Sequence, residues 1–155
     1  MGVEAIVRLC DKKIATIKGG FMNNIKRDEN STPSQTQSWG RLMRLADTQL
    51  AFANPQEDIR GHRVVGPNQR EIGYVRALMV DEVNPRIHFL EVAFGGILGM
   101  GETAYLVPVD LVTQVQEDAV FVARTREQIS ASPRYEPQLR DLSPDDIIPI
   151  MDYYG

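Results

Sequence analysis

The densest run of glycines in this chain, Gly95, Gly96, Gly99 and Gly101, is where chemistry would first be sought, because glycines let backbone N–H groups approach an anion. A dinucleotide fingerprint needs a helix opening directly after its glycines, and a phosphate loop needs a following Lys and Ser or Thr. Here Glu102 and then an expected strand follow instead. The run therefore reads as a hairpin with positive-φ glycines. His62 and His88 fall on different expected strands, and neither has the three or four converging ligands of a metal site. His88 alternates with Leu90, Val92 and Phe94, which places it near the mouth of an apolar core. No serine sits in a Gly-x-Ser-x-Gly elbow, the arrangement a hydrolase would use. Asp81, Glu82, Glu91, Glu102 and Asp110 carry groups able to relay protons, but in an acidic chain they read as solvated turn and strand-end charges. Arg60, Arg63, Arg70 and Arg76 cluster in sequence and alternate with acids, which reads as a mixed surface. No catalytic residue, metal site or cofactor is expected.

Composition agrees with that reading. The 155 residues, 43% hydrophobic, suffice for one domain plus tails. A net charge of −4 argues against a protein that blankets phosphates with Lys and Arg, so no nucleic-acid partner is expected. Cys10 has no second thiol to pair with, which fits a reducing cytoplasm. No run approaches the roughly 20 apolar residues of a membrane-spanning helix. Asp11, Lys12, Lys13 and Lys18 interrupt any signal-peptide core. A cytoplasmic protein without a transmembrane segment is expected, with peripheral membrane association left open. The opening Met-Gly lacks the Ser or Thr of a myristoylation start, because Ile6 stands there.

Four regions follow from the pattern. Residues 1–38 are expected to be a disordered or poorly ordered extension. It holds all four lysines, two runs able to form short strands (3–10 and 13–17) and the polar stretch 23–38, which has too little apolar surface to offset its ordering entropy. Met22 is an alternative start. Residues 39–57 are a lead-in segment whose Leu42, Met43, Leu45, Leu50 and Phe52 should pack on the next region. Residues 58–137 carry short apolar runs at 59–65, 70–80, 86–94, 103–107, 111–115 and 119–123, separated by turn residues such as Pro67-Asn68, Asn84-Pro85 and Glu117-Asp118. Thr125 and Gln128 have the spacing of a capping box, opening a short helix that Pro133 stops. Residues 138–155 form a tail with a second helix start, Ser143-Pro144-Asp145-Asp146, kept short or kinked by Pro149.

The run from Asp58 through Gly61 and Ile72-Gly73-Tyr74-Val75, followed by Leu78-Met79-Val80-Asp81, resembles the opening of a PRC-barrel domain, named for the soluble part of the photosynthetic reaction-centre H subunit. Phe89-Leu90-Glu91-Val92, the glycine-rich hairpin, Leu106-Val107-Pro108-Val109-Asp110 and the closing stretch from Thr125 to Pro133 extend the resemblance over residues 58–137. It implies an all-β fold, a small SH3-like antiparallel barrel with short C-terminal helices, acting as a docking platform without shared catalytic residues. The chain is similar to standalone bacterial members. The implied function is a non-enzymatic adaptor that binds a protein partner or itself as a homo-oligomer. The alternatives are an accessory subunit of a membrane electron-transfer complex, where the carboxylates would line a proton path, and a ribosome-associated factor. Ile97, Leu98 and Met100 are the expected partner-binding residues, being apolar side chains in a connection where polar residues are normal. The competing expectation is that they plug the barrel mouth or pack near Leu42 and Leu45. Gly61, Gly73 and Pro108 are expected to be structural, Gly73 as a bulge or bend that closes the barrel.

Overall fold

The computed structural model describes residues 15–16, 41–48, 50–52, 55–81, 86–97, 100–136 and 141–155. Among them, strands β1 (Ala15–Thr16), β2 (Leu42–Arg44), β3 (Leu50–Ala51), β4 (Arg63–Val65), β5 (Glu71–Asp81), β6 (Ile87–Phe94), β7 (Thr103–Pro108), β8 (Val112–Val115) and β9 (Ala119–Val122) precede helix α1 (Arg126–Ser130), strand β10 (Asp141–Leu142) and helix α2 (Pro144–Tyr154). The result is a strand-rich, barrel-like all-β fold with short C-terminal helices.

β5 is the hub. Its 11 residues pair antiparallel with β2, β4 and β6, which a straight strand with only two edges could not do along its whole length. Two bulges bend it: Ile72 has no partner between Val64↔Gly73 and Val65↔Glu71, and Arg76 has none between Val75↔Val92 and Ala77↔Glu91. One end thus pairs with β4 and the other with β2. The expected meander had only antiparallel pairs; β4 instead lies parallel to β9, in the register Arg63↔Ala119 and Val64↔Val120. That pairing brings the start of the barrel beside its end, a long-range closure that local sequence cannot specify.

Several boundaries move for identifiable reasons. The run at 59–65 becomes a strand only at Arg63, because the His62 N–H donates to the Ile59 carbonyl in a turn with Gly61 at φ +86°. Leu42–Arg44, expected only to pack, is a strand on the edge of β5. His88 leaves the alternation assigned to it: Met79 opposes Phe89 and Val80 opposes Ile87, so His88 is the extra residue of a bulge and is half-buried. Pro149 does not end its helix, which runs on to Tyr154. The α1 capping box forms with both bonds, Gln128 N–H to Thr125 Oγ1 at 3.3 Å and Thr125 N–H to Gln128 Oε1 at 2.9 Å. The expected turn at Asn84-Pro85, Glu82, Leu98, Trp39, residues 3–10 and residues 23–38 lie outside the described residues.

β5, β6 and β7 read in sequence as nearly continuous apolar runs, the signature of strands buried on both faces. The inner face holds Val75, Leu78, Val80, Leu90, Val92, Phe94, Tyr105 and Val107 in the larger core cluster, closed by β4, β8, β9 and Ile129 of α1. The outer face presents Met79, Phe89, Ala104 and Leu106, over which Leu42, Tyr135, Leu142, Ile147, Ile150 and Tyr154 pack as a second cluster. The C-terminal segment is therefore a cover for the outside of the barrel.

Candidate functional site

Among the described residues, two of the departures from an apolar core with a polar surface bear on function. The first is the connection between β6 and β7. Gly95, Gly96 and Gly101 all have positive φ, a backbone region that favours glycine. Beyond them Ile97 and Met100 pair as an isolated bridge, with Ile97 N–H to Met100 O at 2.9 Å and Met100 N–H to Ile97 O at 3.1 Å. Ile97 is 78% exposed and Met100 75%. Neither side chain plugs the barrel mouth or reaches Leu42 and Leu45, both of which are buried in the clusters below. Leu98, the third residue expected at this site, lies outside the described residues.

The second place is Glu91, in the middle of β6 and 0% exposed. Alternation sends it to the outer face with Phe89, opposite Ala77 on β5 and Leu106 on β7. Arg44 grips it from β2, Nε donating to Oε2 at 2.9 Å and Nη2 to Oε1 at 3.2 Å, a two-pronged charge-assisted contact. Arg76, the extra residue of the β5 bulge, brings its Nε to 3.6 Å from Oε1. From above, the Tyr135 hydroxyl donates to Oε2 at 3.4 Å. Burial, and then the Glu91 charge, push the Tyr135 hydroxyl up to about 12, so it remains a donor. Nearby, Tyr74 donates to Glu102 at 2.8 Å, and that bond raises the Tyr74 hydroxyl above its usual range.

This arrangement corrects the reading of the carboxylates. Glu91 and Asp81 are buried rather than solvated, while Asp110 is exposed and Glu102 half-buried. A carboxylate with both oxygens engaged by a guanidinium and no solvent-facing surface is fitted to fastening strands together, not to meeting a substrate. The signal that could have found it was a lone acid inside the apolar run Phe89-Leu90-Glu91-Val92: a charge there must be paired if the strand is covered on both sides. The arginine cluster is a mixed surface in space as well. Arg60 pairs with Asp58 at 2.8 Å through Nε, and Arg63 with Asp118 at 3.0 Å and Glu71 at 3.8 Å.

Gly73 lies against the Ala93–Phe94 end of β6. A Cβ added there would run into the Ala93 carbonyl oxygen and come within 2.7 Å of Phe94 Cβ. Pro108 ends β7 opposite Phe89 and opens the 3-10 turn Val109–Leu111. Gly61 supplies the left-handed residue of the turn before β4. Among the described residues no three His, Cys, Asp or Glu side chains converge as metal ligands do, and no described helix is long and apolar enough to cross a membrane.

No curated protein matches the chain. The profile of the PRC-barrel domain matches residues 54–129, the span from the 3-10 turn before β4 through α1. Those residues supply every member of the inner cluster except Leu45. With the doubly buried sheet, the bulged hub strand and the β6–β7 hairpin in place, residues 54–129 are identified as a PRC-barrel domain.

Proposed function

We propose that this protein is a cytoplasmic, non-enzymatic docking module whose β6–β7 hairpin tip binds a protein partner or a second copy of the chain. The observation that carries the reading is the exposure of Ile97 and Met100, at 78% and 75%, on a hairpin tip closed by its own backbone bonds. Large apolar side chains held in solvent by a defined backbone favour association, because covering them removes apolar area from water without reordering the fold. The PRC barrel is in general a non-catalytic module, which fits a binding role.

The double variant Ile97→Asp/Met100→Asp tests it. Both side chains are solvent-facing, so the melting temperature should stay within a few degrees of wild type. Sedimentation and affinity capture should show loss of self-association or of the captured partner. Unchanged association in a folded variant would remove the hairpin from the binding surface.

A further inference from the structure

The outer face of β5, β6 and β7 is apolar within the matched barrel, yet in this chain the cover comes from elsewhere. Of the cluster on that face, Met79, Phe89, Ala104 and Leu106 lie within residues 54–129, while Leu42, Tyr135, Leu142, Ile147, Ile150 and Tyr154 lie outside them. Of the buried residues of the inner cluster, only Leu45 comes from outside that span. From the division we infer that the outer face is a second docking surface, made for an amphipathic helix with branched aliphatic residues at i and i+3 and an aromatic at i+7. Helix α2 is the copy of that ligand carried in cis, and it occludes the face until a partner helix of the same pattern replaces it. This surface is distinct from the hairpin tip, and the inference does not rest on the role proposed there.

What fits the face is shown by what sits on it. Ile147, Ile150 and Tyr154 of α2 are buried against the sheet, while Ile148 and Tyr153 on the same helix are exposed. The helix is held by docking more than by its own preference. It has 11 residues, fewer than an isolated helix needs in water, and Pro149 removes a backbone donor from its interior. Its seat is imperfect: the Tyr154 hydroxyl, buried near Ser132, makes no hydrogen bond of normal geometry among the described residues. Opening would not strand Glu91 either. Arg44 of β2 and Arg76 of β5 hold the carboxylate from within the sheet, and only the 3.4 Å Tyr135 contact comes from the segment that follows the barrel, so displacing α2 rehydrates an ion pair and leaves its main contacts intact. An 11-residue cover interrupted by Pro149, with a dehydrated ion pair beneath it, is poised to exchange.

Two measurements on the full chain test this. Native-state hydrogen exchange on wild type should show α2 amides opening at least 100-fold more often than those of β5, β6 and β7; opening of α2 only together with the sheet would overturn the inference. A fluorescent peptide of residues 141–155 should bind the full-length Ile147→Asp/Ile150→Asp variant at least tenfold more tightly than wild type, whose own helix competes at high effective concentration. Equal binding to both proteins, or binding that survives the same two substitutions in the peptide, would also overturn it. A wild-type dimer in sedimentation that the two substitutions abolish would assign the face to a second copy instead of a partner helix. If the variant fails to fold, the exchange measurement on wild type still decides.

Discussion

The two faces of the β5–β7 sheet are equally buried and differently built. The inner face is wholly apolar and is enclosed almost entirely by strands of the matched barrel. The outer face mixes Phe89, Met79 and Leu106 with a fully buried Glu91, and all of its cover but Leu42 is a strap that follows the barrel in sequence. An all-apolar core closed by ladder hydrogen bonds can open only by unfolding, whereas a face closed by a short helix over an ion pair can open locally. Equal burial therefore does not imply equal permanence.

The most damaging single change is expected where the two sides of the hub strand are held in register. Gly73→Val drives a branched side chain into the Ala93 backbone and should cost about 4 kcal/mol or more, read as a lowered denaturation midpoint. A melting curve like wild type would show that β6 can lift off β5, and the inner face would lose its claim to permanence.

A paired truncation then compares the faces at adjacent residues. Leu90→Ala, on the inner face, should cost about 4 kcal/mol, because the surrounding ladders cannot collapse into the cavity. Phe89→Ala, on the outer face, removes a larger group but should cost about 3 kcal/mol, since α2 can settle into the space. Both positions are 0% exposed, so burial alone predicts no such reversal. Urea denaturation of the two variants measures the order, and a larger loss at Phe89 would break the comparison.

Glu91→Ala should cost about 3 kcal/mol by leaving Arg44 without its partner in a half-dry site. Replacing both partners, as Arg44→Met with Glu91→Leu, should return stability to within about 1 kcal/mol of wild type. A double variant as unstable as the single one would mean that the ion pair contributes more than it costs to dehydrate.

The smallest effect is a pH dependence. The Tyr135 hydroxyl ionises at about 12 when folded, against 10.0 for a free tyrosine. Below pH 10 its contribution to stability is fully present. As pH rises from there through about 12, the unfolded chain loses its proton first and the contribution is lost. Tyr74 and Tyr154 are raised in the same direction, so the check is the difference from Tyr135→Phe, which should lose stability less steeply across that window. Parallel curves for wild type and variant would place Tyr135 away from the charge on Glu91.

Much of the barrel was legible because its cues are local. Short apolar runs and β-branched content mark β5 through β9, turn residues mark their ends, and the Thr125–Gln128 spacing marks α1. The positive-φ glycines around Ile97 and Met100 were legible for the same reason, since a residue without a Cβ reports its own backbone. The parallel β4–β9 pairing was not, nor the joining of Leu42–Arg44 to β5. Both depend on which segments meet across long stretches of chain. His88 fell out of its alternation because a bulge shifts register by one residue without leaving a trace in composition.

The sequence by itself determined that strands would form, where most would turn, and that a hairpin would carry apolar residues between glycines. Only the tertiary structure decided which face of each strand looks inward and what lies on the other. Glu91 shows why: an acid on an expected strand is ordinarily solvated, and its burial depends on Arg44, Arg76 and Tyr135 arriving from three other parts of the chain. A charge can leave water only where opposite charge and hydrogen bonds converge on it, and that convergence is a property of the fold rather than of any segment.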